Sequence, residues 1–259
     1  MGNWSPKSCQ AKEKVAIIIP FRDRNEHLKL FLANYHPILQ KQQLDYTIFV
    51  VEQHGRTTFN RGALMNIGFL EVVKTGMHNC FIFHDVDLLP EQDHNLYHCG
   101  NQPRHLSVAV DKFNYTLPYK QIIGGASAFT VEQFMKVNGF PNSYWGWGGE
   151  DDDLSKRLEL SGYQLNRPSA KSARYTMIKH HHDSTNPRNR MAPLQLELTH
   201  ETMFKDGLNT VSYRVLRVEK RGLYSWVLVD VEENRMKNAA LYNLLDIGSG
   251  IGLPTAKQT

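Results

Sequence analysis

The chain is poor in cysteine and has no long apolar segment. Only 3 of its 259 residues are cysteines, and an odd number cannot all pair within one chain. The longest apolar stretches, Val15–Ile19 and Tyr46–Val51, fall far short of the roughly 20 residues that a membrane-spanning helix needs. The N-terminus also lacks the apolar core of a signal peptide. Taken by themselves, these absences predict a soluble, cytosolic protein without a membrane span.

Neither sign of charge dominates the chain. Its 30 Lys and Arg residues against 26 Asp and Glu give a formal net charge of +4 without a long basic run, which does not favour a nucleic-acid binder. A small positive excess still suits an anionic small-molecule ligand. Hydrophobic residues make up 41% and charged residues 22%, which excludes disorder of the bulk of the chain and a fibrous protein. The length corresponds to one large domain or two small ones.

The first hundred residues alternate between strand and helix patterns. Apolar runs predict strands at Val15–Ile19, Tyr46–Val51 and Cys80–His84. The helical spacing of apolar residues predicts helices over Asn25–Gln43 and Asn60–Lys74. This βαβαβ order, with right-handed crossovers, predicts half of an open α/β sheet. Ligands in such sheets bind beyond the carboxyl ends of the strands.

The rest of the chain has a mixed pattern and no internal repeat. The predicted elements are strands over Leu106–Val110 and Ile122–Phe129, helices over Val131–Val137 and Leu154–Leu160, and a closing antiparallel pair, Val211–Val218 with Leu223–Val231. The pattern weakens after Glu232. We therefore expect the tail over residues 234–259 to be poorly ordered.

Two carboxylates, Asp85 and Asp87, stand directly after the third predicted strand. Carboxylates at a strand end suit a hard divalent cation that bridges phosphates. A solvated turn is the alternative for so short a motif, and its place after the third strand favours the metal. The segment Pro20–Arg24, after the first strand, is the other candidate ligand-binding end.

The most unusual stretch runs from Trp145 to Asp153. Its glycines flank two tryptophans, so the loop can change conformation and an indole can stack on a sugar face. Four acidic residues, Glu150–Asp153, then follow in a row, and their mutual repulsion is costly unless they cap a helix or take part in chemistry. Capping of the helix near Leu154 accounts for one or two of them but not for four, which favours a functional site.

Four further features give weaker indications. Met177 and His180 are three residues apart and can both ligate a transition metal, although a lone Met is more often a core residue. The glycine-rich Asp246–Gly252 is followed by no strand and helix, so we do not interpret it as a nucleotide loop. The three cysteines are either free thiols or one bridge plus a cysteine without a partner. Glycosylation sequons at Asn3 and Asn114 favour a secretory compartment.

A series of short motifs is spread along most of the chain. The motifs are Pro20–Arg24, Phe59–Arg61, Asp85–Asp87, Asp111–Phe113, Gly124–Gly125, Asn138–Pro141, Trp145–Asp153 and Asp206–Asn209. In this order they resemble the beta-1,4-galactosyltransferase family of inverting glycosyltransferases, over about residues 4–231. The resemblance implies a GT-A fold, an α/β, Rossmann-like nucleotide-sugar-binding fold with a mixed central sheet. It also implies a single catalytic domain over residues 1–233, with a nucleotide-binding half (10–100) and an acceptor half (101–233).

The resemblance assigns roles to individual residues. Asp87, Met177 and His180 match the family's ligands for Mn²⁺, which neutralises the leaving UDP. Asp151 matches the base that takes the proton from the acceptor 4-hydroxyl, and Glu150 matches a second catalytic residue of the reaction centre. The implied donor-binding residues are Pro20, Phe21, Arg22, Arg24, Phe59, Arg61, Asp85, Val86, Lys112, Ile122, Gly125 and Trp147. The implied acceptor-binding residues are Trp147, Gly148, Gly149, Asp151, Asp152 and a loosely matched Arg190.

The residue at position 122 determines which donor the resemblance implies. Vertebrate members of the family usually have Tyr here, whereas invertebrate members with an aliphatic residue transfer N-acetylgalactosamine. Ile122 thus implies transfer of GalNAc from UDP-GalNAc to the 4-hydroxyl of a terminal β-GlcNAc on a glycoprotein or glycolipid glycan. A galactosyltransferase that uses UDP-Gal with the same acceptor is the near alternative. An inactive carbohydrate-binding paralogue is the other, and the presence of Asp87, Asp151 and His180 argues against it.

The resemblance also changes the interpretation of the cysteines. It pairs Cys80 with Cys99, and it places Cys9 on a family disulfide whose partner would lie before Met1. We therefore expect this chain to be the catalytic part of a type II membrane protein of the Golgi lumen, with its membrane anchor missing from this sequence. This expectation replaces the cytosolic one.

Overall fold

The computed structural model describes residues 2–179 and 185–238. Its strands are β1 (Asn3–Trp4), β2 (Lys14–Phe21), β3 (Asp45–Gln53), β4 (Cys80–His84), β5 (Leu88–Pro90), β6 (Arg104–His105), β7 (Ala109–Val110), β8 (Ala126–Thr130), β9 (Arg174–Met177), β10 (Tyr213–Lys220) and β11 (Ser225–Val231). Its helices are α1 (Asn25–Lys41), α2 (Arg61–Val73), α3 (Val131–Lys136), α4 (Glu150–Leu160), α5 (Ala192–Glu197) and α6 (Thr199–Thr202).

A mixed sheet forms the centre of the fold, in the order β10-β11-β3-β2-β4-β8-β6. Strands β11, β3, β2 and β4 are parallel to their neighbours within this group, whereas β10, β8 and β6 pair in antiparallel fashion. A smaller sheet has the order β5-β9-β7. The predicted α/β fold with a mixed central sheet is confirmed.

Strand β2 shows how the sheet is covered on both faces. Its alternate residues Val15 and Ile17 face the core beneath α1, and Ala16 and Ile18 face the core beneath α2 and α4. All four side chains are fully buried. A strand buried on both sides needs the continuous apolar run that the sequence shows there.

Two predicted strands are shorter than expected. The region Leu106–Val110 contributes only β7, and the predicted strand Ile122–Phe129 begins at Ala126. The physical reason for the second difference is Gly125, whose φ of +88° is incompatible with a continuing strand. Ile122 therefore lies in a loop, half-buried, rather than in a buried strand.

The tail predicted to be poorly ordered begins at residue 234, and residues 239–259 lie outside the described part of the chain. Residues 233–238 are helical. Met236 packs in the core, with 3% of its surface exposed. No helix in the described ranges is both long enough and apolar enough to span a membrane.

A disulfide joins Cys80 to Cys99, and Cys9 is an exposed free thiol. The pairing implied by the family resemblance is therefore confirmed. The bridge connects the first residue of β4 to the segment before β6, across a sequence separation of 19 residues.

We expect Cys99→Ala to lower the free energy of unfolding by about 3 kcal/mol, because the open chain regains the entropy that a loop of this length loses on closure. Chemical denaturation measures this difference. Cys9→Ser is the matched control and should change stability by less than about 0.5 kcal/mol, since its side chain is exposed. Alkylation of the unfolded, unreduced protein should label one thiol, and labelling of three would contradict the bridge.

Candidate active site

Three chain segments that are far apart in sequence meet at one edge of the central sheet. Arg61 opens α2, Asp85 follows β4, and Glu150 and Asp151 open α4. The start of α2 is held by Asn60, whose side chain accepts a hydrogen bond from the Ala63 amide (2.9 Å) and donates one to the Asn142 carbonyl (2.7 Å). An N-cap of this kind fixes the direction in which the first helical side chain points.

The Arg61 guanidinium lies between three carboxylates. Its Nε is 2.7 Å from Asp85 Oδ1, and its Nη1 is 2.7 Å from Asp151 Oδ1 and 3.3 Å from Glu150 Oε1. The Arg61 and Glu150 side chains are only 15% and 9% exposed. One cation facing three acids leaves an excess of negative charge at the edge of the sheet, which suits both a divalent cation and a base.

Burial and charge act in opposite directions on the acids of this cluster. Burial raises the pKa of Asp85, Glu150 and Asp151, and the Arg61 charge lowers all three. The neighbouring carboxylates raise them again, so the net direction is upward for each pKa. The Arg61 charge thus opposes the effect of burial and favours the ionised form of these carboxylates, which is the form that can accept a proton.

Not all four acids at the start of α4 belong to this cluster. Asp153 is 1% exposed and accepts hydrogen bonds from Arg157 Nε (2.6 Å), Tyr144 Oη (3.0 Å) and Thr199 Oγ1 (2.9 Å). It anchors α4 to its surroundings and has a structural role. Asp152 accepts a 2.6 Å hydrogen bond from Tyr119 Oη at the exposed side.

The structure brings the main chain at two of the three predicted metal ligands, Asp87 and Met177, close together. Leu88, next to Asp87, pairs with Met177 across β5 and β9, and the Ile178 amide donates to the Asp87 carbonyl at 2.7 Å. The Met177 amide in turn donates to Asp111 Oδ1 at 2.8 Å. His180 lies outside the described residues. A carboxylate beside a thioether is a donor set that fits a transition metal better than Mg²⁺.

A second group of potential ligands is not a metal site. Glu13 lies beside Cys80 and Cys99, with all three ligand atoms within 4.8 Å of one another. The two sulfur atoms are bonded to each other, so neither is available as a thiolate.

Arg22 stands at the carboxyl end of β2, as predicted. Its Nη1 donates to the Thr57 carbonyl (2.6 Å), its Nη2 donates to Thr185 Oγ1 (2.8 Å), and the guanidinium lies 5.0 Å from the centre of the Phe59 ring. A polar cleft lies beside it, lined in part by Gln53 and His54, which the sequence patterns did not identify. Because the cleft opens at the ends of β2 and β3, it lies where such sheets bind ligands.

Four other predicted donor residues lie at or just after the ends of β2 and β4. Pro20 and Phe21 end β2, Arg24 precedes α1, and Val86 is buried in the turn after β4. Lys112 is exposed on a 3-10 turn over Asp111–Phe113.

The loop with two glycines lies against the predicted base. A Cβ atom on Gly124 would come within 2.7 Å of Asp151 Oδ2. The Gly125 carbonyl accepts a hydrogen bond from the Asp85 amide at 2.8 Å. A side chain at position 124 would therefore push the Asp151 carboxylate away from its place, and Ile122 precedes this close contact by two residues in the chain.

The second of the two tryptophans in the segment Trp145–Asp153 is exposed just before α4. Trp147 has 62% of its surface exposed, and its backbone exchanges hydrogen bonds with Pro187 (2.8 Å) and Asn189 (2.9 Å). Gly148 and Gly149 follow with φ values near +100°, and Gly149 is the N-cap of α4. An exposed indole next to carboxylates is the arrangement with which proteins stack on sugar rings.

One predicted site residue and two that were not predicted lie in this region. Arg190 is exposed in the turn before α5, and no hydrogen bond or ion pair joins it to the carboxylate cluster within the described residues. Tyr119 and Asp111 were not predicted as site residues. The aromatic side chain three positions before Ile122 is the signal that could have found Tyr119, whereas only the tertiary hydrogen bond from the Met177 amide reveals the role of Asp111.

Comparisons with known proteins identify the family to which the chain is similar. The N-terminal region of glycosyl transferase group 7 matches residues 1–100, and the N-terminal domain of galactosyltransferase matches residues 104–181. Human beta-1,4-galactosyltransferase 1 is 51% identical over 230 residues, which cover 89% of this chain and 58% of that protein. Rat beta-1,4-galactosyltransferase 4 is 48% identical over 229 residues, covering 88% of this chain and 67% of that protein.

Solved structures of the same family are similar to this chain in fold. The catalytic domain of Drosophila beta-1,4-galactosyltransferase 7, in complex with xylobiose, superposes with a TM-score of 0.74 at 30% identity, over 85% of this chain and 94% of that one. A mutant of that enzyme in complex with manganese, UDP-Gal and xylobiose gives a TM-score of 0.73.

The fold is the GT-A fold of glycosyltransferases, with acidic residues gathered at the carboxyl edge of its sheet. The chain belongs to the beta-1,4-galactosyltransferase family. It spans about 58% of the length of the human protein named above.

Proposed function

We propose that the protein is an inverting glycosyltransferase that moves GalNAc from UDP-GalNAc to the 4-hydroxyl of a terminal β-GlcNAc, with Mn²⁺ as cofactor. The observation that carries this proposal is the Arg61 cluster, in which Asp151 lies both in an ion pair and against the backbone of Gly124. The structure of the related Drosophila enzyme in complex with manganese and UDP-Gal supports the proposed metal and UDP-sugar donor.

Asp151 takes the proton from the acceptor hydroxyl as that oxygen attacks the anomeric carbon. The attack comes from the side opposite the UDP, so one displacement changes an α-linked donor sugar into a β-linked product. Arg61 orients the Asp151 carboxylate through the 2.7 Å contact and favours its ionised form. Trp147 supplies an exposed aromatic face for a sugar ring.

Asp87 and Met177, with His180 next along the chain, are the residues that would hold the metal. When bound, Mn²⁺ supplies positive charge that stabilises the leaving UDP. Arg22, at the end of β2, and Lys112, on the turn whose Asp111 contacts the Met177 amide, are cations that add to the attraction for phosphates.

The preference for GalNAc rests on Ile122. Its place in the loop next to Gly124, rather than in a buried strand, favours a role beside the donor sugar. A Tyr ring there would fill the space that an N-acetyl group needs, whereas Ile leaves room and offers an apolar wall. The attraction to one methyl group is worth only about 0.8 kcal/mol, so the absence of the clash is the larger effect.

We expect Ile122→Tyr to lower the ratio of UDP-GalNAc to UDP-Gal turnover by about tenfold or more, because overpacking a fitted site costs about 1–3 kcal/mol. Both donors are assayed on a β-GlcNAc acceptor, with kcat/KM as the measured quantity. Ile123→Val is the control, since Ile123 is a buried core residue next in the chain. An unchanged ratio in Ile122→Tyr would show that another residue sets the donor.

A galactosyltransferase with UDP-Gal as its main donor is the second candidate, favoured by the names of the relatives. The wild-type donor comparison decides between the two. An inactive carbohydrate-binding protein would bind GlcNAc without releasing UDP from either donor, which a UDP-release assay with and without Mn²⁺ detects.

We also propose that the protein works in the Golgi lumen, attached to the membrane by a segment outside this sequence. The Cys80–Cys99 bridge supports an oxidising compartment. Expression of the full-length gene product with a lumenal tag, followed by protease protection of sealed vesicles, tests this placement. A tag that is cleaved without detergent would contradict it.

A further inference from the structure

The loop Tyr119–Gly125, called here the donor loop, touches the acidic helix α4 at two points. Tyr119 Oη donates to Asp152 Oδ1 at 2.6 Å, and Gly124 lies against Asp151 Oδ2. Between these two contacts lies Ile122, on which the proposed donor preference rests. A small displacement of the loop would therefore change the space for the donor sugar and the surroundings of the base together.

One arginine outside the predicted site holds the middle of this loop. Arg167 Nη2 donates to the carbonyl oxygens of Lys120 (2.9 Å) and Ile122 (2.8 Å). Its Nε donates to His105 Nδ1 at 3.2 Å. No carboxylate lies within ion-pair distance of this guanidinium in residues 2–179 and 185–238, so its hydrogen-bonding capacity is directed to the loop and to His105.

His105 extends the same connection to the end of the loop. Because Nδ1 accepts from Arg167, Nε2 carries the proton of the neutral ring and donates to the Gly124 carbonyl at 3.0 Å. Ser107 Oγ donates to the same carbonyl at 2.9 Å. Burial, together with the Arg167 charge, lowers the pKa of His105 to about 4, which keeps the ring neutral.

Both residues stand on a fixed frame. His105 belongs to β6, which pairs with β8 on one side. On the other side the His105 amide donates to the Asn166 carbonyl (2.9 Å), and the Asn166 amide donates to the Pro103 carbonyl (2.9 Å). Arg167 follows Asn166 directly, so main-chain hydrogen bonds fix both side chains relative to the central sheet.

We propose that Arg167 is a positioning residue that sets the donor preference, by holding Ile122 directly and Gly124 through His105. The proposal deepens the proposed function and rests on it. It predicts that a substitution of Arg167 changes donor discrimination more than it changes overall turnover.

The test compares Arg167→Met with Arg167→Lys and with Arg214→Met. Methionine keeps much of the arginine stem but cannot bind the two carbonyls, lysine can bind one or two of them, and Arg214 is an exposed arginine that pairs with Asp230 on strand β10. The ratio of kcat/KM for UDP-GalNAc and UDP-Gal should change by about tenfold in Arg167→Met, less in Arg167→Lys, and not in Arg214→Met. The change should fall on the donor KM rather than on the KM for β-GlcNAc.

Hydrogen–deuterium exchange of the donor loop gives a readout that does not depend on turnover. Exchange at residues 119–125 should be faster in Arg167→Met than in the wild type, with other peptides unchanged. Faster exchange with an unchanged donor ratio would overturn the proposal, as would unchanged exchange. If the wild-type protein turned over neither UDP-sugar, the proposed function would fail, and unchanged exchange would then separately reject the anchoring role of Arg167. If Arg167→Met does not fold, Arg167→Lys and His105→Gln carry the same two measurements.

Discussion

Replacing Asp151 by asparagine is expected to lower the transfer rate by at least about 100-fold, because a positioned general base contributes about 10²–10⁴-fold. Asparagine keeps the size of the side chain, and its oxygen can still accept from Arg61 at the 2.7 Å contact. The amide cannot take a proton from the acceptor hydroxyl. Affinity for UDP should stay close to the wild-type value, since the variant leaves the residues near the phosphates in place.

The measurements are single-turnover transfer from UDP-GalNAc to a β-GlcNAc acceptor and calorimetric binding of UDP. Glu159→Gln is the matched control, because Glu159 is an exposed acid on the same helix, away from the Arg61 cluster. Near-normal transfer in Asp151→Asn would contradict the assignment and move the role of base to Glu150 or Asp152.

The pH dependence of the wild-type enzyme follows from the same environment. Burial raises the pKa of Asp151 above its ordinary value, and the Arg61 charge only partly opposes this. The ionised form is the active form of a base, so the rate should fall as the pH falls, beginning at a higher pH than for an exposed carboxylate. The residual transfer rate of Asp151→Asn should not show this fall at low pH.

Substitution of Asp87 by asparagine is the second change for which we expect a large effect. Transfer at moderate Mn²⁺ should fall by about 100-fold or more, because the neutral amide is a poorer ligand for a divalent cation than a carboxylate. Chelation of the wild-type enzyme with EDTA should abolish transfer, and Mn²⁺ should restore it. The Mn²⁺ dissociation constant, measured from the loss of the free-ion electron paramagnetic resonance signal, should rise in Asp87→Asn.

Glu91→Gln is the control for the metal prediction. Glu91 follows β5 directly, so it lies near Asp87 in the chain, but its carboxylate binds Arg174 (2.9 Å) and Tyr115 (2.7 Å). The Mn²⁺ affinity of the Glu91→Gln variant should match that of the wild type. Full activity of the wild-type enzyme in EDTA would reject a metal at this site.

Much of the fold follows from local patterns in the sequence. The apolar run before Pro20 predicts β2, because a strand covered on both faces has no polar side to display. The run Cys80–His84 predicts β4 with its observed bounds. The apolar pattern predicts that α4 begins near Leu154, whereas the helix starts at Glu150, since negative charge is favourable at a helix N-terminus and the four acids form its first turn.

The candidate site was predicted less completely than the fold. The motif resemblance identified Asp85 and Asp151 individually, and it identified Cys80 and Cys99 as a pair. It did not show that Arg61 lies between three carboxylates, nor that Asp153 is held by Arg157 whereas Asp151 faces Arg61. A row of four like charges carries no information about which members the fold will bury.

The amino-acid sequence by itself determined the alternation of strands and helices, the family and the residue types that the chemistry needs, because these depend on spacing along the chain. Only the tertiary structure decided which distant side chains share one environment. Arg167 and His105 show the difference, since they are 62 residues apart and meet only because β6 and Asn166 are joined by main-chain hydrogen bonds. Long-range contacts of this kind arise from the packing of whole elements, and no local pattern encodes them.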